Sequence, residues 1–450
     1  MTTLSAPPAR PGASRQDERL QPIAAKIARG ERLTLADGDL LYTTPDIWTV
    51  LELADGVRRR LHGDAAYYNV NRHLNYSNVC ALSCKFCEFY RKAGDDGAYT
   101  RDMEYIRGEV RKAVEAGATE MHSVGGLHPT LPFSYYTDLV STIRDEAAKL
   151  GSDLHVKAFT AVEIVHLCRI AKLWKGASLA GEEGRAARRE AIRTVLSKLR
   201  EAGLCSLPGG GAEVFDDRVH DEAYKGKIRS DVWLDVHRVA HELGLNTNAT
   251  LLYGHIEQRH DRLVHMDMLR RAQDEALAAL GYEREAGTVT LTRPGTPLPE
   301  HVAFGGRGAA SGSASPRQAH GYYQTIIPLP FFPDGCELEH LPGPSGLENY
   351  RTLAIARLML DNFPHVKAFW IMQTLPMAQV MLQSGADDID GTVVWYDITK
   401  VPHGMEVGTH QEVTPWTLQK MIREAGLQPV ERDSLYRRVV REGRTWRAVM

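Results

Sequence analysis

Three cysteines, Cys80, Cys84 and Cys87, fall within eight residues in the stretch NVCALSCKFCEFYRK, between an apolar run and a basic one. A structural zinc ion takes four ligands, and a ferredoxin-type cluster takes four thiolates. Cys80-x3-Cys84-x2-Cys87 supplies three. The remaining cysteines stand far apart: Cys168 within the helical stretch VEIVHLCRIAKL, Cys205 at the start of a strand, and Cys336 alone. Packing is the expected role for Cys168 and Cys205. Three thiolates on a [4Fe–4S] cube leave one iron without a protein ligand, a place to hold a small molecule and pass it an electron. The competing reading is a three-cysteine zinc site completed by a histidine.

Such a loop must be presented by a scaffold. Apolar β-like runs at 74–79, 119–125, 154–160, 204–208, 246–253, 322–330, 366–372 and 391–396 alternate with stretches of helical period. The helical stretches include DMEYIRGEVRKAVEAG (102–117), DVWLDVHRVAHELG (231–244, with Asp231 as N-cap and Gly244 as C-cap) and SGLENYRTLAIARLMLDN (345–362). Strand and helix in alternation imply a parallel sheet with crossover helices. Eight candidate strands imply an α/β fold closed as a (β/α)8 TIM-like barrel, and the cysteines then follow its first strand, at the mouth where such barrels do chemistry.

The organisation expected is a flexible tail over 1–20, a helical segment over 21–69 with helices at 20–29 and 46–62, the barrel over 70–400, and a helix-and-strand extension over 401–450. Two segments read as insertions: 174–190, polar and small, a surface extension, and 283–320, rich in Gly, Pro, Ser and Ala, a lid or a disordered loop. Formal charge is 54 − 57 = −3, so bulk charge does not point to nucleic acid. No run of eighteen apolar residues spans a membrane. Six cysteines among 450 residues suit a reducing cytoplasm better than a disulfide scaffold.

C-x3-C-x-aromatic-C after the first strand of an α/β barrel resembles the radical S-adenosylmethionine (SAM) superfamily. Five further stretches, EMHSVGGLHPTLPFSYY, HVKAFTAVEI, GLCSLPGGGAEVF, NATLLYGHIE and RLMLDNFPHVKAFWIM, come in order along the chain. Together they resemble the aminofutalosine synthases of the futalosine route to menaquinone. The resemblance implies a [4Fe–4S] cluster on Cys80, Cys84 and Cys87, SAM as co-substrate, and an electron donor such as flavodoxin or ferredoxin. It implies addition of the 5′-deoxyadenosyl radical to the enol ether of 3-[(1-carboxyvinyl)oxy]benzoate, with rearrangement and decarboxylation, giving 6-amino-6-deoxyfutalosine. Sister enzymes share the barrel and the cysteines. The alternatives are cyclisation of dehypoxanthine futalosine and the coupling that builds the deazaflavin precursor FO, both starting by hydrogen abstraction.

Individual residues take roles under that resemblance. Gly125 and Gly126 would let backbone carbonyls approach the methionine amino group, or simply make a tight turn. Glu213, after three glycines, and Glu257 would accept hydrogen bonds from ribose. Phe86 would pack at the adenine edge or seal the cluster. Because the substrate carries two carboxylates, cations or donors should line the mouth: Lys157, His128, His255 and Arg262 are the candidates, and His122 sits within the second strand. The segment DGTVVWYDITKVPHGMEVGTHQEVT (390–414) departs from the family pattern, with Trp395 and Tyr396 expected near the mouth.

Overall fold

A computed structural model describes residues 17–175, 181–284, 291–293, 296–297, 320–393, 412–443 and 445–449. Seven parallel strands follow one another in chain order across a single sheet: Asn71–Leu74, Glu120–Ser123, His155–Ala158, Ser206–Leu207, Asn246–Tyr253, Tyr323–Pro330 and His365–Val366. An eighth, Asp388–Gly391, meets the seventh through a parallel bridge between Lys367 and Asp388. On its other side the eighth pairs in parallel with Ala65–Asn69, which runs straight into the first strand. Thr392 closes the seam. Its amide donates to the Asn69 carbonyl at 3.1 Å, and its hydroxyl oxygen accepts from the Asn71 amide at 3.2 Å. The architecture is a (β/α)8-like barrel.

The crossover helices begin where the sequence offers caps. Asp102 accepts from the Tyr105 amide ahead of Met103–Glu115, and Ser345 caps Gly346–Met359. Thr160 and Glu163 form a reciprocal capping box on Ala161–Ile170. Asp231 is not a cap: its helix, Ser230–Glu242, starts one residue earlier behind Arg229. There the carboxylate serves the positive end of the helix dipole instead. Gly244, with φ of 77°, follows the end of that helix in the left-handed conformation that glycine takes cheaply.

Three helices, Gln21–Arg29, Leu35–Thr43 and Ile47–His62, precede the barrel. The middle one lacks helical periodicity in its sequence, LADGDLLYT, and carries an interior glycine. A Cβ on Gly38 would stand 2.5 Å from Leu263 Cδ2, so the glycine lets this helix lie close against Arg259–Ala279. Close packing outweighs the roughly 1 kcal/mol that glycine costs in a helix.

Three expected strands differ. Ladder pairing ends at Leu74, and residues 75–79 leave the sheet to meet 91–100 through bridges at Ser77–Thr100 and Val79–Arg91. After Val366 the apolar run turns into a short helix, Trp370–Gln373, because a brief apolar run carries no period that separates strand from helix. The last strand is Asp388–Gly391, and Trp395 and Tyr396 lie outside the described residues. In the first insertion the chain from Gly181 is helical to Ala202, with Arg185 and Arg188 bonded to the buried Asp235. Most of 283–320 and residues 1–16 lie outside the described residues, so the expected lid and tail do too. Short antiparallel pairs join Glu283–Arg284, Leu291–Arg293 and Thr296–Pro297. No described helix is long and apolar enough to cross a membrane.

Candidate active site

One cavity of about 310 Å³ runs from the cysteine loop down into the barrel. Cys80, Cys84 and Cys87 line it together with Phe86, Gly125, Gly126, Glu213 and Lys157. The loop is tied on every side. Its Cys80 amide donates to Arg91 O at 3.0 Å, Ala81 N to Leu127 O at 2.9 Å, and Lys85 N to Ala223 O at 2.9 Å. Lys92 Nζ crosses the loop to Cys80 O and Leu82 O at 3.1 and 2.8 Å. Burial pushes the Cys84 thiol up to about 11, opposed by Lys227, and burial raises Cys87 as well. Free thiols are disfavoured as thiolates here, so a cationic centre would have to stabilise the ionised sulfurs.

Gly125 and Gly126 are needed for packing. A Cβ on Gly126 would stand 2.4 Å from Val79 O, and one on Gly125 would stand 2.7 Å from the Tyr76 ring. The strand end therefore presses directly on the cysteine loop. Glu163 locks this contact: one carboxylate oxygen accepts from Tyr76 Oη (2.7 Å) and Gly125 N (3.1 Å), the other from Thr160 N and Oγ1 (2.8 Å each). Burial raises Glu163 to about 7 despite these donors.

Glu213 holds φ of 49° after the glycines and pairs with Lys227, whose Nζ lies 4.8 Å from the Phe86 ring centroid. Burial opposes the lysine charge, yet Glu213 keeps it protonated. Gly209 has no room for a side chain, since its Cβ would meet the Ala249 backbone at 2.6 Å.

The deep end of the cavity is polar and charged. His73, His122 and Lys157 are neighbours in register on the first three strands, so their side chains enter one layer. Lys157 Nζ bonds Glu120 Oε2 at 2.6 Å, and Lys367 Nζ bonds Asp390 Oδ1 at 2.6 Å. Ser434 donates to Glu120 at 2.6 Å, and Arg432 pairs with Asp388 at 2.7 Å, so the C-terminal segment buttresses this floor from behind. The His73 and His122 rings lie 4.5 Å apart, and burial lowers both, His73 to about 4.

His128, His255, Glu257 and Arg262 stand elsewhere, not among the residues lining the cavity. His128 Nδ1 accepts from the amides of Thr130 and Leu131 and shapes its own loop. Glu257 takes the amides of Gly254 and His255 and the Arg262 guanidinium. Arg262 continues to Glu348 and Thr352 and lies over the Tyr42 and Tyr253 rings. These two charges latch the loop after the fifth strand to two helices. The His255 ring is enclosed beside Glu257 and Phe331.

Site residues without a motif are Lys227, Glu120 and Asp390. Glu163 had a signal, the T-x-x-E capping pattern at 160–163. Alternation along the strands could have marked His73 and Glu120 as inward. Lys367 had one too, since HVKAF at 365–369 repeats the HVKAF at 155–159 that carries Lys157, whereas Asp390 carried no local signal.

A model of the radical SAM superfamily matches residues 74–269, and one of the CofH/MqnC C-terminal region matches 319–442. The chain belongs to the radical SAM superfamily. Within it, the chain is 38% identical to aminodeoxyfutalosine synthase of Thermus thermophilus, over 94% of this chain and 97% of that protein. It is 30% identical to 5-amino-6-(D-ribitylamino)uracil–L-tyrosine 4-hydroxyphenyl transferase of Methanopyrus kandleri, over 92% and 94%. Its fold matches the FeFe-hydrogenase maturase HydG from Carboxydothermus hydrogenoformans with a TM-score of 0.58 at 12% identity, covering 93% of this chain and 81% of that one.

The family implies a [4Fe–4S] cluster and SAM, and the donor set fits. Among the described residues, three potential metal-ligand atoms converge within 4.8 Å only at His62, His365 and Asp387. Cys80, Cys84 and Cys87 line one cavity from one loop, and three thiolates are what a [4Fe–4S] cluster with one open iron takes. The His62 group is already held together by protein contacts: Asp387 takes Arg357 and His365, His62 Nε2 meets the Pro364 carbonyl at 2.9 Å, and Tyr436 stacks on His365 at 3.6 Å.

Proposed function

We propose that this chain joins the 5′-deoxyadenosyl group of SAM to the enol-ether double bond of 3-[(1-carboxyvinyl)oxy]benzoate, forming 6-amino-6-deoxyfutalosine after rearrangement and loss of a carboxyl group. The observation that carries the reading is the continuity of one cavity from the cysteine triad to a charged floor across apolar walls such as Ile327, Leu329 and Phe369. Near-complete alignment with aminodeoxyfutalosine synthase supports the same reading.

When bound, the cluster and SAM supply a reductively cleaved sulfonium and a carbon-centred adenosyl group. Cys80, Cys84 and Cys87 would hold the cluster. Gly125 offers its carbonyl edge at the strand end, with its amide fixed by Glu163. Glu213, held by Lys227 on the cavity wall, would accept hydrogen bonds from ribose hydroxyls. The aromatic and aliphatic wall excludes water from the reacting carbon. In this reading the electron comes from a small reductant such as flavodoxin or ferredoxin, and the free cysteines are compatible with a reducing compartment.

The test is anaerobic. Protein reconstituted with iron and sulfide, reduced, and given SAM and the enol ether should release methionine and a product containing adenosine joined to the benzoate, read by mass spectrometry. Free 5′-deoxyadenosine with the enol ether untouched would overturn the substrate assignment and direct attention to hydrogen-abstracting chemistry such as that of the 4-hydroxyphenyl transferases.

A further inference from the structure

Of the candidates expected at the mouth, Lys157 alone lines the cavity, and it stands on the floor opposite Lys367. Lys157 enters from the third strand and Lys367 from just past the seventh, so two ammonium groups reach the deep end of the cavity from different sides. Each has one carboxylate partner, Glu120 or Asp390. An ammonium carries three N–H donors, so each retains donors beyond its partner. Asn71 adds to the donor set: its Oδ1 accepts from the Val393 amide at 2.9 Å, which leaves its amide NH2 as the group available to the cavity it lines.

Each cation of this floor faces one carboxylate: Lys157 faces Glu120, Lys367 faces Asp390 and Arg432 faces Asp388. Burial works against the Glu120 charge, yet Lys157, Arg432 and Lys367 hold its carboxyl well below the usual range. Burial, together with Lys367 and Arg432, pulls Lys157 down against the attraction of Glu120. The lowered Glu120 is the direction its own ion pair produces, and what the floor offers a further anion is the N–H donors left on the two ammonium groups.

We infer that the floor formed by Lys157, Lys367 and Asn71 receives the ring carboxylate of an aromatic acid, carboxylate first, and so decides which aromatic substrates enter. The apolar walls above it take the ring. The orientation follows from the chemistry: the ring carboxylate survives into the product, whereas the vinyl carbon must face the cysteine end. The inference rests on the substrate class of the proposed function and adds which end goes down and which residues read it. His122, burial-held neutral beside Lys157, is a positioning neighbour that fills the layer without adding charge.

The probes are 3-methoxybenzoate and its neutral isostere 3-methoxybenzamide, titrated calorimetrically into the reconstituted full-length protein. A hydrogen-bonded charged contact makes the acid about ten-fold tighter than the amide. Lys367→Met should weaken the acid about ten-fold and the amide by less than about two-fold. Because Lys367→Met leaves Asp390 without its ammonium, the paired variant Lys367→Met/Asp390→Asn carries the same test if the single one folds poorly. Equal affinities of acid and amide for the unaltered protein would overturn the inference, and so would a ratio that survives both variants. If the enol ether is converted but the acid and amide bind alike, the floor assignment fails and the proposed reaction stands. If the acid is preferred and no adduct forms, the floor assignment stands and the reaction fails.

Discussion

The two ends of the cavity are built by opposite means. At the mouth, chain neighbours do the work: Cys80, Cys84 and Cys87 come from one loop, and its fit depends on glycines at strand ends whose Cβ atoms would collide with backbone. At the floor, residues far apart in the chain meet. Glu120, Lys157, Lys367 and Asp390 come from four strand regions, and Ser434 and Arg432 arrive from the C-terminal segment. Backbone geometry tolerates little change, which suits the part of the reaction a family shares. Side chains on a rigid barrel can be exchanged one at a time, which suits the part that distinguishes substrates.

The comparison can be broken most severely at the mouth. Cys84→Ala should abolish both the brown colour of the reconstituted protein and cleavage of SAM. Retention of either, by absorbance or by methionine release, would dissociate the triad from the cluster. Next in size is Lys227→Met, which strands the Glu213 carboxylate in a buried site and should lower stability by about 3–5 kcal/mol in denaturant unfolding. A change below about 1 kcal/mol would show the pair to be peripheral, like an exposed ion pair.

Glu163 sharpens the comparison through pH. Its folded value, about 7, lies above the ordinary 4.5, so the folded protein binds the extra proton between those values. Stability then falls as pH rises from about 4.5 to about 7, and relative to Glu163→Gln the native protein loses on the order of 3 kcal/mol across that window. A difference between the two proteins that stays flat with pH would place the Glu163 proton elsewhere. The smallest effect is expected outside the cavity: His128→Ala should change turnover by no more than about two-fold, as surface changes do. A larger loss would bring the His128 loop into the site.

The same contrast explains what was legible in the sequence. Cys80-x3-Cys84-x2-Cys87 and the glycine pair are local patterns, and the alternation of strands and helices marked the barrel that carries them. At the floor, Lys157 was named as a candidate and His122 as a residue of the second strand, and its other residues were not named. Lys367 sits in an apolar run that reads equally as strand or helix, and Asp390 lies one residue before Gly391 with no neighbour to mark it. Their meeting depends on how the seventh and eighth strands close the barrel, a long-range fact that no spacing encodes. Arg262, Glu257 and His255 looked functional for the converse reason. Charged and imidazole side chains after a strand end resemble a site, yet their partners are Glu348, Thr352 and backbone amides that only the fold brings near. Leu35–Thr43 was missed because its glycine is paid for by a contact with Leu263, not by propensity.

The central claim is a division of labour along one cavity: the mouth generates the adenosyl group and the floor holds the acceptor. It is tested most directly by the ratio of adduct to free 5′-deoxyadenosine formed from SAM and 3-[(1-carboxyvinyl)oxy]benzoate by the reconstituted protein and by Lys367→Met. The account predicts that the variant still releases methionine while its products shift strongly towards free 5′-deoxyadenosine. An unchanged ratio, or loss of methionine release together with the adduct, would contradict it.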